Sequence, residues 1–252
     1  MELVAHRDAF LRAVEWKTGQ APSERSYPYH LPAVRQMGKL KFHPAVTYLV
    51  GENGSGKSTI LEAVAAAWGF NPEGGTRNFT FSTWDSHSSL YDRIRLVRSA
   101  RQAKDGFFFR AESYYNVATH IEELDREPSF GPPIIQSYGG TSLHRQSHGE
   151  SFFATFLHRF RGNSLYILDE PEAALSPSRQ MSMLSRIHQL VQQGAQFIIA
   201  THSPILMAYP DSILYDLGEN GIEVKTLEET DHFLITKEFV NNRQRMLREL
   251  LE

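Results

Sequence analysis

The chain has 252 residues, 41% of them hydrophobic and 22% charged, with a formal net charge of −3 and no cysteine. That composition is ordinary for a folded globular protein, and the length suits one large α/β domain or two small ones. Disulfides, zinc fingers and a cysteine-based zinc hook are excluded, no apolar run is long enough for a membrane span, and the charge gives no global reason to expect nucleic acid as a partner.

The first residues lack the charged-then-apolar order of a signal peptide, so a cytoplasmic location is expected. Residues 10–16 alternate loosely as a first strand. A polar loop with prolines covers 18–28, and 33–42 predict a second strand or hairpin arm. The apolar run 45–50 reads as a buried strand. It feeds Gly51-Glu52-Asn53-Gly54-Ser55-Gly56-Lys57-Ser58-Thr59, and residues 59–67 are strong helix formers. That helix should stop near Gly69, because 71–75 is dense in turn formers.

A strand, a glycine loop and a helix in this order form an anion site. Glycines at 51, 54 and 56 let the backbone turn its N–H groups toward one point, and the helix adds the positive end of its dipole. Lys57 can reach the β- and γ-phosphates, and Ser58 can place a hydroxyl on Mg²⁺. The segment 51–59 therefore predicts binding of a nucleoside triphosphate.

Residues 76–145 are the least regular. Strands are expected at 89–97 and 107–110 and a helix at 114–124, followed by a Pro/Gly-rich loop at 128–133 and Gly139-Gly140. Arg93, Arg95, Arg98, Arg101 and Lys104 form a basic run that could meet a phosphate backbone, although a solvated face is the commoner meaning. From 149 onward a helix at 150–161, a strand at 165–168, a helix at 178–193 ended by Gly194 and a strand at 196–200 alternate plainly. This predicts an α/β fold with a mainly parallel sheet flanked by helices. Phe239, Val240, Leu247, Leu250 and Leu251 recur at approximate helical spacing, which predicts a C-terminal helix over 236–252 docked on the core.

The strand at 165–168 ends in Asp169-Glu170, at the edge where open α/β sheets bind ligands. Asp169 can bind Mg²⁺, and Glu170 can orient and deprotonate an attacking water. His202 follows the strand at 196–200, on the same edge, within reach of a γ-phosphate or that water.

Together with the phosphate loop, Leu168-Asp169-Glu170-Pro171, Glu172-Ala173-Ala174-Leu175-Ser176 and Thr201-His202-Ser203 resemble the Walker A, Walker B, D-loop and H-loop of ABC-type ATPases, in family order. Gln146-Ser147-His148-Gly149-Glu150 stands where that family has its signature turn. Gln146 replaces the usual leucine and His148 the first glycine, and the Glu ending looks closer to SMC-type and RecF-type repair ATPases than to transporter subunits. The resemblance runs from about residue 10 to the end. It implies one P-loop NTPase domain over 1–252, with a core lobe at about 10–75 and 160–230, an N-terminal antiparallel β portion, an inserted helical signature lobe at about 76–159 and the C-terminal helix.

The resemblance also implies an ATPase that uses ATP and Mg²⁺ and dimerises around ATP. In that homodimer Ser147 and the Gly149 backbone would meet the γ-phosphate held by the other chain. Local chemistry equally predicts Ser147 as an ordinary helix cap with Glu150 as its partner. Glu112 is the candidate for the family's metal-side glutamine, with Gln102 second. Arg35 resembles an arginine that reaches back to the nucleotide, and Tyr27 or Tyr29 could stack on adenine, although loop aromatics more often pack. The implied role is a molecular switch in DNA repair, maintenance or defence, acting on DNA or a partner protein without membrane insertion. The alternative is the soluble ATP-binding subunit of an ABC transporter. The span between Ser58 and Ser147 holds no heptad array, which excludes a long-armed SMC machine.

Overall fold

A computed structural model of the chain describes residues 8–19, 26–77, 89–126, 131–145 and 147–252. In chain order its elements are β1 (Leu11–Trp16), α1 (Pro32–Arg35), β2 (Lys39–Lys41), β3 (Val46–Val50), α2 (Lys57–Trp68), α3 (Leu90–Arg93), β4 (Ile94–Arg98), β5 (Asp105–Arg110) and α4 (Tyr114–Arg126). There follow α5 (His148–His158), β6 (Ser164–Asp169), α6 (Pro177–Gln192), β7 (Gln196–Ala200), α7 (Pro204–Met207), β8 (Ser212–Gly218), β9 (Gly221–Val224), α8 (Asp231–Asn241) and α9 (Arg243–Leu251).

The main sheet has the order β5-β6-β7-β3-β8-β9, and every pair is parallel except β8 with β9. Its central strands β3, β6 and β7 are buried along their whole length, which is why they read as unbroken apolar runs. Successive residues of these strands point to opposite faces. Tyr48, Tyr166 and Phe197 join one core with α5 and α6, while Leu49, Ile167 and Ile198 join the other with α2. The register aligns the ends that matter: Asp169 pairs with Ala200, and Ala200 pairs with Leu49. The residues that follow all three strands therefore emerge on one edge.

A three-stranded antiparallel sheet, ordered β2-β1-β4, covers the α2 side. A helical lobe containing α4 and α5 packs on β5 and β6 through aromatic rings. Phe109 stacks on Phe152 and Phe160 on Tyr166, each at 4.0 Å between centroids. Burying one such ring contributes about 1.5–3 kcal/mol, so this contact fixes the lobe to the sheet edge.

Several boundaries differ from expectation. Residues 32–35 form α1 before β2, because Pro32 presets the helical φ at the first position. The stretch expected as a strand at 89–97 opens with α3, and β4 begins only at Ile94. The helix expected at 150–161 starts at His148 and ends at His158, its start set by a capping box. Of the segment 76–159 assigned to an inserted lobe, β4 and β5 belong to the two sheets. Gln146, residues 20–25 of the first loop and 128–130 of the Pro/Gly-rich loop lie outside the described residues.

The expectation of a C-terminal helix docked on the core is overturned. Two helices stand there, α8 from Asp231 and α9 from Arg243, and neither has a buried residue. Val240 and Leu251 are 72% and 80% exposed. The helical periodicity is real, but only the first turns of α8 lie against the body, beside α7, so the apolar stripe beyond them faces outward.

Candidate active site

The phosphate loop is closed by backbone that only glycine permits. At Gly51 (φ 131°) a Cβ would sit 2.2 Å from the Leu217 carbonyl oxygen of β8. Gly56, with φ 102°, turns the chain into α2, whose first residue is Lys57. The Lys57 ammonium folds back over the loop and donates to the carbonyl oxygens of Gly51 (2.8 Å) and Glu52 (3.0 Å). Burial pulls its pKa down, and the nearby carboxylates of Glu170, Asp169, Glu52 and Glu172 oppose that pull.

Ser58, next in the helix, donates its hydroxyl to Asp169 Oδ1 at 3.0 Å. Asp169 ends β6 and is 6% exposed. Burial pushes its carboxyl up to about 7, against the influence of Arg110 and the Ser58 hydrogen bond. Arg110 ends the neighbouring β5. Its guanidinium lies 2.9 Å from Glu62, 3.5 Å from Glu112 and 3.8 Å from Asp169 Oδ2. Glu112 reaches the site through its ion pair with Arg110, with its side chain 86% exposed. Gln102 precedes β5, roughly 20 Å from the carboxyl edge at about 3.3 Å per strand residue, so the structure removes it from the site.

Glu170 takes a left-handed backbone conformation (φ 49°), rare outside glycine and held here by its N–H donating to Ala200 O at 3.0 Å. Its Oε1 lies 3.4 Å from His202 Nε2. The His202 loop is set from two sides. Its backbone N–H donates to Glu172 Oε1 at 2.6 Å, and its ring Nδ1 shares a hydrogen bond with His232 Nε2 at 2.9 Å. Burial, and next the Lys57 charge, lower the His202 pKa, with Glu170 opposing. Burial raises the Glu172 carboxyl. Neither Glu172 nor His232 stood out as functional in the sequence. Glu172 is one letter of the D-loop, distinguished only once its burial is known, and His232 comes from a distant helix with no local motif.

A cavity of about 380 Å³ opens over the loop, lined by Gly54, Lys57, Ser58, Thr59, Glu170 and Tyr27. The Tyr27 ring is at the rim, 63% exposed, and its hydroxyl lies 3.0 Å from Thr59 Oγ1. Tyr29 is 2% exposed inside the second core, so it is unavailable to a base. Asn53 and Ser55 complete the loop, and the Ser55 hydroxyl is buried without a hydrogen-bond partner. Arg35 is exposed on α1, the helix whose cap residue Leu31 sits beside Gly56.

The signature-like turn lies apart from this cluster. Ser147 caps α5 and donates its hydroxyl to Glu150 Oε2 at 2.7 Å, while the Glu150 N–H donates back at 3.3 Å. A Cβ on Gly149 would meet the Ala174 carbonyl oxygen at 2.2 Å, so the glycine allows this turn to lie against the D-loop of its own chain. The basic run is largely occupied internally. Arg93 covers the Tyr29 ring, Arg95 pairs with Glu15, Arg98 covers Trp68, and Arg101 covers Phe10 and donates to Gly194 O.

Two family descriptions match the chain: "AAA domain, putative AbiEii toxin, Type IV TA system" over residues 137–208 and "AAA domain" over 25–127. A Caldanaerobacter subterraneus protein named for an ABC transporter ATP-binding role is 29% identical over 70% of this chain and 77% of its own length. The energy-coupling factor transporter ATP-binding protein EcfA2 of Methanospirillum hungatei is 27% identical over 79% of this chain, which spans only 52% of that relative. A solved ATP-binding cassette of an ABC transporter shares the fold, with a TM-score of 0.50, 15% identity, and coverage of 93% of this chain and 98% of that one. The motifs of the carboxyl edge and these relatives agree: the chain is a P-loop ATPase, similar to those of the ABC type.

Proposed function

We propose that the chain binds ATP with Mg²⁺ and hydrolyses it with Glu170 as general base, the cycle switching an ATP-dependent homodimer. The observation that carries this reading is the meeting of Ser58 with Asp169, and of Glu170 with His202, on the edge that the phosphate loop also occupies. Ser58 and Asp169 fit Mg²⁺: both present oxygens, 3.0 Å apart, and a carboxyl pushed up by burial is the kind of group that a cation returns to its charged form. Bound there, Mg²⁺ would neutralise charge on the β- and γ-phosphate oxygens. The exposed Glu112 fits that role less well.

In this reading the 51–59 backbone and Lys57 hold the phosphates. The Glu170 carboxylate accepts a proton from water as the water oxygen bonds to the γ-phosphorus and the bond to ADP breaks. His202 Nε2, buried without a hydrogen-bond partner, supplies a donor to the γ-phosphate. Ser147 and the Gly149 N–H complete the site from a second chain. Glu170→Gln tests the assignment. It should keep ATP binding, lose about 10²–10⁴-fold in turnover and accumulate an ATP-bound dimer. Undiminished turnover would remove Glu170 from the role.

The target of the switch follows from two different supports. The Glu-ended signature turn and the toxin-type family match favour a cytoplasmic role in DNA maintenance or defence, acting on DNA or a partner protein. DNA-stimulated hydrolysis that weakens with salt tests it. The named relatives favour a second reading, the ATP-binding subunit of a membrane transporter. No helix among the described residues is long and apolar enough to cross a membrane, so in this reading the spanning part lies outside them, and copurification of the Glu170→Gln protein with a membrane-spanning protein tests it.

A further inference from the structure

We propose that His232, the second residue of α8, is a positioning residue that holds the His202 ring with its proton on Nε2. The proposal rests on the reading of His202 as the γ-phosphate donor. The two rings approach at 2.9 Å between His202 Nδ1 and His232 Nε2, with centroids 5.0 Å apart and planes tilted by 53°. One proton lies between those nitrogens, and a neutral imidazole has only one N–H to place.

The other side of His202 decides where that proton belongs. Nε2 is buried, makes no hydrogen bond and lies 3.4 Å from Glu170 Oε1. A lone pair on Nε2 would face carboxylate oxygen and be repelled, whereas an N–H is attracted. Nε2 therefore carries the proton, Nδ1 is the bare acceptor, and His232 Nε2–H is the donor. The same tautomer is the one that can donate to phosphate oxygen. Burial and the Lys57 charge favour the neutral ring, so the choice of tautomer, rather than a second proton, makes His202 a donor.

His232 is well placed to impose this choice. Thr230, the N-cap of α8, is 1% exposed, and its hydroxyl donates to Leu227 O at 2.7 Å and accepts from the Phe233 N–H at 3.4 Å. The start of α8 is thereby fixed while the rest of the α8–α9 arm is exposed. The arm enters the catalytic edge through one imidazole.

The test is ¹⁵N NMR of the nucleotide-free chain labelled at histidine, with ATPase kinetics alongside. In the wild type, His202 Nε2 should be the proton-bearing nitrogen and Nδ1 the bare one. His232→Leu, which has no donor, should turn His202 into a mixture of tautomers. Its kcat should fall about 10–100-fold, the range for groups that orient a site residue, with the KM for ATP changed less than about twofold. His232→Gln, whose amide N–H can replace the donor, should restore the single tautomer and most of the kcat. A proton on His202 Nδ1 in the wild type, or a tautomer indifferent to His232→Leu, overturns the proposal. If the tautomer responds as expected but His202→Ala keeps full turnover, the reading of His202 as phosphate donor has failed, and the proposal's catalytic consequence falls with it.

Discussion

At the carboxyl edge of the main sheet, Lys57 is buried, Ser58 is bonded to Asp169, and His202 is gripped by Glu172 and His232. At the head of α5, Ser147 is exposed and its hydroxyl is turned onto its own Glu150. The first region has its groups converged within one chain, with burial shifting their pKa values. The second is chemically quiet: the Glu150 carboxyl is lowered by hydrogen bonds to Ser147, as in any capping box. The difference teaches that one chain brings together the groups proposed to grip phosphate, hold the metal and act as base, whereas in the proposed reading the turn at Ser147 gains chemistry only if another chain brings phosphate to it.

Asp169→Asn should break the first region most severely. The amide keeps an acceptor for Ser58 but removes the charge that would hold Mg²⁺, so Mg²⁺-dependent turnover should fall by about 10³-fold, equivalent to the several kcal/mol a metal contributes to charge stabilisation. Stability should not fall. The native carboxyl is raised to about 7, so above that pH the fold carries a buried charge that asparagine relieves. Thermal unfolding at pH 8 beside a steady-state assay checks both halves of this statement.

Ser147→Asp sharpens the contrast. Aspartate is as good an N-cap as serine, so α5 should remain intact by circular dichroism. In a two-chain site it would place a carboxylate against the partner's γ-phosphate, and turnover should drop by about 10²-fold, comparable to losing one donor to a developing charge. Turnover equal to wild type would leave the turn as a cap and nothing more. A smaller effect is expected at the rim of the first region. Tyr27→Ala removes the exposed ring beside Thr59, and the KM for ATP should rise roughly tenfold with kcat little changed, the scale of one base–aromatic stack.

What was legible in the sequence follows the same division. The glycine loop, the acidic strand end and the histidine after β7 were readable because each is a local pattern on a buried parallel strand, and the register delivers all three to one edge. Contacts made between distant segments were not readable. His232 reaches His202 from a terminal helix, and Glu172 differs from any solvated D-loop acid only by its burial. The apolar spacing in 236–252 was also real, but periodicity states which residues share a face and not whether anything covers it. The basic run at 93–104 showed the reverse case, since four of its arginines are occupied by rings, a carboxylate or a carbonyl within the chain.

The joint between the two regions supplies the mildest test. Arg159, just past the end of α5, grips Asp105 at the start of β5 through Nη1 and Nη2, the latter at 3.0 Å. Burial works to raise the Asp105 carboxyl, but the Arg159 bonds and charge together bring it below its ordinary value. A lowered native pKa stabilises the fold above the unfolded carboxyl's value, near 3.9, and that stabilisation is lost as pH falls through the native one. Asp105→Asn should therefore cost about 1–2 kcal/mol at pH 7, a charged hydrogen bond discounted because the Asp105 side chain is 33% exposed. Wild type and variant should converge in urea unfolding once pH falls below the lowered value of the native Asp105 carboxyl. If the gap instead stays constant with pH, the ion pair is not what holds the helical lobe to β5, and the aromatic contacts of Phe109 and Phe160 carry that joint alone.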